Sequence, residues 1–137
     1  MKFPYVKTPH SDPNKKWVAR SIIPVTLFGP KGKVHVYALI DSGADRCLFN
    51  IEIANEIGIN VTAGEANRGY GIEGRGIDIY IHKIRLQVKD IDKKIEVNAG
   101  FTDAQGVIPI LGQDGFFDNF RIKFEKDHDV IEIVPIK

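Results

Sequence analysis

A mainly β domain, built as a closed barrel or orthogonal sandwich with one or two short helices, is what this chain predicts. Three observations carry that reading. Short apolar stretches recur between Trp17 and Val134, several of them alternating with polar residues. Clusters of Gly, Pro, Asp and Lys separate them, as turns would. Two stretches, 51–57 and 114–117, read as helix.

Taken in order, residues 1–16 hold Pro4, Pro9 and Pro13 among polar residues and are expected to form an extended arm, with a single domain over 17–137. Residues 17–28 are a strand, with Pro24 marking an edge or a bulge. The turn at 29–32 returns the chain as a second strand over 34–40. Asn50 caps a helix over 51–57 that Gly58 stops, with Ile53, Ala54 and Ile57 on one face. From Asn60 the chain is β again. A glycine-dense hairpin tip at 69–76 precedes the alternating residues Ile77, Ile79 and Ile81, then Ile84, Leu86 and Val88. A turn at 90–92 leads to a partner strand with Ile95, Val97, Ala99 and Phe101. Residues 107–112 are a short apolar run, and Asp114 caps one helical turn through Phe117. A hairpin closes the chain, its strands 120–124 and 130–134 joined by the charged turn 126–129.

Composition narrows the function classes. The chain has 137 residues, the size of one domain, and 43% of them are hydrophobic, enough for a core. Lys and Arg total 19 against 18 acidic residues, a net charge of +1, which argues against a broad nucleic-acid surface. Cys47 is the one cysteine, so neither an internal disulfide nor a CxxC metal site is possible. The four histidines are scattered without ligand spacing, and no metal or other cofactor is expected. No stretch reaches the roughly 18 apolar residues of a membrane helix, and the first residues lack an apolar signal core. A cytoplasmic protein without membrane partners is the expectation.

The chemistry concentrates at residues 38–49, Ala-Leu-Ile-Asp-Ser-Gly-Ala-Asp-Arg-Cys-Leu-Phe. A carboxylate stands at the end of an apolar strand, followed by small residues and a second apolar patch. Asp41-Ser42-Gly43 alone describes many Asx turns. Here the set is longer. Ala38-Leu39-Ile40-Asp41-Ser42-Gly43-Ala44-Asp45 resembles the active-site loop of retroviral-type aspartic proteases, the retropepsins. The glycine-rich tip Gly71-Ile72-Glu73-Gly74 is similar to the flap of that family. Ile110-Leu111-Gly112 is similar to the apolar-apolar-Gly triplet that precedes its short helix. The three landmarks occur in family order over roughly residues 20 to 125. The chain departs from the viral pattern at Gln113, where those enzymes usually carry Arg, and in its longer tail from Phe120. Both features are more like the cellular and bacterial relatives.

The resemblance implies a retropepsin-like acid-protease fold and an aspartic endopeptidase. Peptide hydrolysis without a metal or a nucleophilic side chain needs a base to activate water and an acid to polarise the carbonyl. Two carboxylates about 3 Å apart supply both by sharing one proton. The chain contains one Asp-Ser-Gly, so the second carboxylate must come from Asp41 of another copy, and activity requires a homodimer. The resemblance makes Asp41, Ser42 and Gly43 the catalytic loop, with Ser42 bonding across the dimer. Ala44, Asp45, Gly71, Ile72, Glu73 and Gly74 would be substrate-binding, with Asp45 either meeting the substrate backbone or anchoring the loop. Leu39, Leu48, Ile72, Ile108 and Ile110 would line apolar side-chain pockets. Peptides or unfolded protein segments are the expected substrates. Ala44 has no hydroxyl to donate to the carboxylates, so the expected pH optimum is less acidic than that of pepsin-like enzymes with Ser or Thr there. The alternative is a non-catalytic dimeric domain of the same fold that binds peptides or proteins without cutting them.

Overall fold

The fold was taken from a computed structural model, which describes residues 1–70 and 76–136. Its strands are β1 (Lys2–Phe3), β2 (Val6–Pro9), β3 (Trp17–Arg20), β4 (Ile22–Gly29), β5 (Gly32–Ile40), β6 (Leu48–Asn50), β7 (Glu65–Tyr70), β8 (Gly76–Val88), β9 (Lys94–Thr102), β10 (Ile110–Leu111), β11 (Phe120–Glu125) and β12 (Val130–Pro135). The helices are α1 (Ile51–Glu56) and α2 (Phe116–Asn119). The principal sheet runs β4-β5-β10-β6-β9-β8-β7, and β4 also pairs with β8. That pairing closes six strands into a barrel, with β7 outside the ring. Closure removes most of the open sheet edge that an isolated sheet would present.

The barrel is filled by alternate residues of its strands. Ile23, Val25 and Leu27 on β4, Leu86 and Val88 on β8, and Val97, Ala99 and Phe101 on β9 are at most 2% exposed. The Phe49 and Phe101 rings lie 5.9 Å apart, within the range of favourable aromatic contact. Helix α1 covers one end of the barrel. The Asn50 side chain accepts a hydrogen bond from the Glu52 N–H (2.9 Å), the capping role read from the sequence, and Gly58 exits the helix at φ +82°.

The predicted strand over 17–28 is two strands. The chain breaks at Ser21; β3 pairs with β2 and β4 with β5. Pro24 sits next to the end of the β4–β8 ladder, which runs from Val25 to Phe28, so the missing N–H falls at its boundary. The chain over 1–16 contributes two of the strands. β1 pairs antiparallel with β12, Phe3 is buried at 7% exposure, and the terminal amine donates to the Ile133 carbonyl. β1, β12 and β11 make a second, three-stranded sheet.

The two alternating runs expected at 77–81 and 84–88 belong to one strand, β8, whose pairing with β9 continues without a bulge from Tyr80 to Gln87. The apolar phase nevertheless changes, from odd positions (Ile77, Ile79, Ile81) to even ones (Ile84, Leu86, Val88). Since strand side chains alternate between faces, the two isoleucine sets lie on opposite faces. Ile84, Leu86 and Val88 fill the barrel; Ile79 and Ile81 line its outer surface.

Candidate active site

Strands β5 and β6 follow one another in sequence but are not neighbours in the sheet. β10 lies between them, parallel to β5 and antiparallel to β6. The connection 41–47 must therefore pass the end of β10, and this brings Asp41-Ser42-Gly43 beside Ile110-Leu111-Gly112. The Asp41 N–H donates to the Leu111 carbonyl (2.9 Å), and the Leu39 N–H to that of Pro109 (2.9 Å). On the other side, the Ile40 N–H donates to the Ser21 carbonyl (2.8 Å), and the Ser21 hydroxyl donates to the Ile40 carbonyl (3.0 Å). The end of β5 that leads into Asp41 is thus held from both flanks, Leu39 and Asp41 by the β10 side and Ile40 by Ser21.

Within the loop, Asp41 Oδ1 accepts from the Gly43 N–H (2.9 Å), and the Ala44 N–H donates to the Asp41 carbonyl (3.2 Å). This is an Asx turn with a β-turn over it. Asp41 and Ala44 are half-buried, while Ser42, Gly43 and Asp45 are exposed. The sequence placed this carboxylate in a protected loop; in a single chain it reaches solvent at the barrel surface.

Gly112 explains why the triplet ends in glycine. A Cβ at this position would lie 2.6 Å from the Arg46 carbonyl carbon and 2.8 Å from the Ala44 oxygen, and closer still to the Arg46 oxygen. The close approach lets two ladder-like bonds form, from the Gln113 N–H to the Ala44 carbonyl (2.8 Å) and from the Asp114 N–H to the Asp45 carbonyl (2.9 Å). Gln113 adds a side-chain bond, Nε2 to the Ser42 carbonyl at 2.8 Å. α2 follows at once, with the Asp118 carboxylate accepting from the Gly115 N–H (3.1 Å). Cys47, behind the loop, is wholly buried; burial pushes its thiol up to about 11. It is a small core residue rather than a nucleophile.

The apolar residues expected to form pockets are partly assembled. Ile110 pairs with Leu39 on one side and Leu48 on the other, and Leu48 pairs with Gly100, which pairs with Ile81. Direct partners share a face, so Leu39, Ile110, Leu48 and Ile81 form a half-buried apolar row across the outer barrel wall, beginning beside the Asp41 loop. Gly100 leaves a gap in that row, into which Ile79 and Leu48 project, with Arg46 alongside. Ile108 is 48% exposed and lies outside this register, in the segment before β10. β7 and β8 pair as far as Tyr70 with Gly76. Gly71, Ile72, Glu73 and Gly74 fall outside the described residues.

Gln113, Ser21, Ile79 and Ile81 were not singled out as site residues from the sequence. The phase reversal along β8 was the available signal for the two isoleucines. Nothing local marks Ser21 or the Gln113 side chain, because each acts on a residue distant in sequence. Among the described residues, no group of three His, Cys, Asp or Glu side chains is placed to hold a metal ion, and no helix is long and apolar enough to cross a membrane.

A six-stranded barrel with a carboxylate loop seated where a late strand splits two early ones defines the class of fold. No protein-family model matches the chain, and no curated protein matches it. Solved structures do. The chain is similar to a retropepsin-like aspartic protease from Rickettsia conorii over 98% of both chains, with a TM-score of 0.61 and 14% identity. It is also similar to EIAV protease in complex with an inhibitor, over 68% of this chain and 81% of that one, with a TM-score of 0.44 and 22% identity. The chain has the retropepsin-like fold, and its fold neighbours are aspartic proteases.

Proposed function

We propose that this protein is a retropepsin-like aspartic endopeptidase that acts as a homodimer, with Asp41 of each copy forming the catalytic pair. The observation that carries the reading is the seating of Asp41-Ser42-Gly43 at the strand crossing, bonded to Leu111 and braced by Gln113. One chain holds one such loop, so a second copy supplies the other carboxylate. The ionised member of the pair takes a proton from water as that water attacks the scissile carbonyl, and the protonated member hydrogen-bonds the carbonyl oxygen. The tetrahedral intermediate collapses when the carboxyl that took the water proton passes it to the leaving nitrogen and the C–N bond breaks, which returns the pair to one shared proton. Gly43 exposes backbone on which an extended peptide can pair. The row Leu39, Ile110, Leu48 and Ile81 favours apolar side chains flanking the cut, and Asp45 at the loop end meets the substrate backbone. In this reading residues 71–74, which follow β7 and precede β8 in sequence, contact the substrate.

The test is cleavage of a mixed peptide library, read by mass spectrometry between about pH 3 and about pH 8, with Asp41→Asn in parallel. Losing a general acid–base residue costs on the order of 10²–10⁴ in rate, so the variant's cuts are expected to vanish against the wild type. Equal cutting by both proteins removes Asp41 from the mechanism. Inertness of both, with folding and dimerisation intact, favours the non-catalytic peptide-binding domain.

A further inference from the structure

Resting on the protease reading, we infer that Gln113 is a positioning residue: its side-chain amide sets the Asp41 carboxylate by bracing the loop that carries it. Gln113 makes two bonds to this loop. Its backbone N–H reaches the Ala44 carbonyl and its Nε2 reaches the Ser42 carbonyl, both at 2.8 Å. Two further bonds lie inside the same turn, from the Ala44 N–H to the Asp41 carbonyl and from the Gly43 N–H to Asp41 Oδ1. Rotation of the Ser42–Gly43 peptide would move the Ser42 oxygen and the Gly43 N–H together, because they belong to one planar unit. By fixing that oxygen, the Gln113 amide fixes the donor that orients the carboxylate. Gln113 is exposed, so packing does not account for its conformation. A carbonyl acceptor also settles its chemistry: the group facing Ser42 must be a donor.

A neutral donor suits the surroundings. Asp41, Asp45 and Arg46 lie on the loop, and Asp114 and Asp118 follow Gln113. An amide keeps its donor whatever the ionisation of these groups, so the brace persists across the pH range of a carboxylate pair.

Two variants and two readouts test the inference. In Gln113→Ala, kcat is expected to fall about tenfold, roughly the worth of one net hydrogen bond, with KM little changed. Exchange of the Gly43 and Ala44 amide protons is expected to accelerate by a similar factor. Gln113→Glu retains shape and replaces the amide with a carboxyl that donates only when protonated. Its rate relative to wild type at the same pH should therefore recover as pH falls through the ordinary Glu range near about 4.3, whereas Gln113→Ala should show no such recovery. The neighbouring charges are common to wild type and variant, and Gly43 amide exchange in Gln113→Glu over the same pH range separates loss of the brace from the field of the new carboxylate on Asp41. Unaltered amide exchange in Gln113→Ala, an unaltered kcat, or a Gln113→Glu ratio without pH dependence overturns the inference. If wild type cuts nothing, the protease reading falls on that result, while amide exchange alone decides whether the brace exists.

Discussion

Replacing Gly112 with alanine tests the architecture of the site most directly. Gly112 does not adopt a left-handed conformation, so the cost of Gly112→Ala is one of space rather than of backbone angle. The new methyl would stand 2.6 Å from the Arg46 carbonyl carbon, where 3.4 Å begins ordinary contact. Relieving that contact alone, 3.4 minus 2.6, requires the Gly112 backbone and the 44–46 segment to part by about 0.8 Å, and the nearer Arg46 oxygen requires more. Both obstructing groups are backbone and cannot rotate away. A shift of that size carries the bonds from Gln113 to Ala44 and from Asp114 to Asp45, now 2.8 and 2.9 Å, beyond hydrogen-bonding range. Overpacking costs about 1–3 kcal/mol and each lost bond about 1 kcal/mol, so the variant should lose about 3–5 kcal/mol. With a urea m-value of about 2 kcal/mol/M for a protein of this size, the midpoint falls by about 2 M. Equilibrium urea unfolding followed by circular dichroism, at one fixed protein concentration so that the proposed dimerisation is held constant, is the assay. Gly43→Ala provides the contrast: its methyl would meet only Asp41 Oδ1, at 3.3 Å, and should cost far less. A Gly112→Ala midpoint within about 0.3 M of wild type, with native bonds retained, would refute the close-approach reasoning.

Two further predictions concern stability. Phe3→Ala removes a core side chain from the first residues of the chain and should cost about 3–5 kcal/mol; an unchanged thermal midpoint would mean that β1 does not hold the second sheet. Cys47 should resist alkylation by iodoacetamide at pH 8 until the protein unfolds, and labelling at the rate of a free thiol would contradict its burial. Its thiol rises from 9.0 to about 11 on burial, so the folded state favours the protonated form. The associated stabilisation, about 2–3 kcal/mol, is complete below about pH 9 and is lost as pH climbs through about 11. Thermal unfolding at pH 8 and at pH 10.5 should show that decline, and Cys47→Ala should decline less; part of it remains because burial, with Asp127 and Asp129 nearby, also raises the Tyr5 phenol.

Much of the fold was legible because β structure writes its faces into the sequence with a period of two. The pairs of β8 with β9 and of β11 with β12 followed from alternation and turn residues, and Asn50 and Gly58 bounded α1. The break at Ser21 was hidden because residues 17–28 remain apolar and β-prone across it. Pairing of β1 with β12 was equally hidden, since a two-residue strand has no period to detect. At the site, Asp41 stood out because a carboxylate between apolar runs is unusual. The Gln113 side-chain bond depends on β10 entering between β5 and β6, a relation between residues 71 positions apart that no local pattern encodes.

That insertion also sets an order of assembly. A chain growing from its N-terminus makes β5 and β6 early, with only seven residues between them, yet the slot they flank stays empty until residue 110 is available. Every contact that holds Asp41 from the β10 side is non-local, the kind whose loop-closure entropy must be met before it stabilises anything. A fragment ending before Ile110 has the whole Asp41 loop and the Ser21 contacts, but none of the seating that β10 and Gln113 provide. On the proposed reading, the carboxylate loop is consequently competent only in a chain that has nearly finished folding, and the activity proposed for it is silent while the chain is being made.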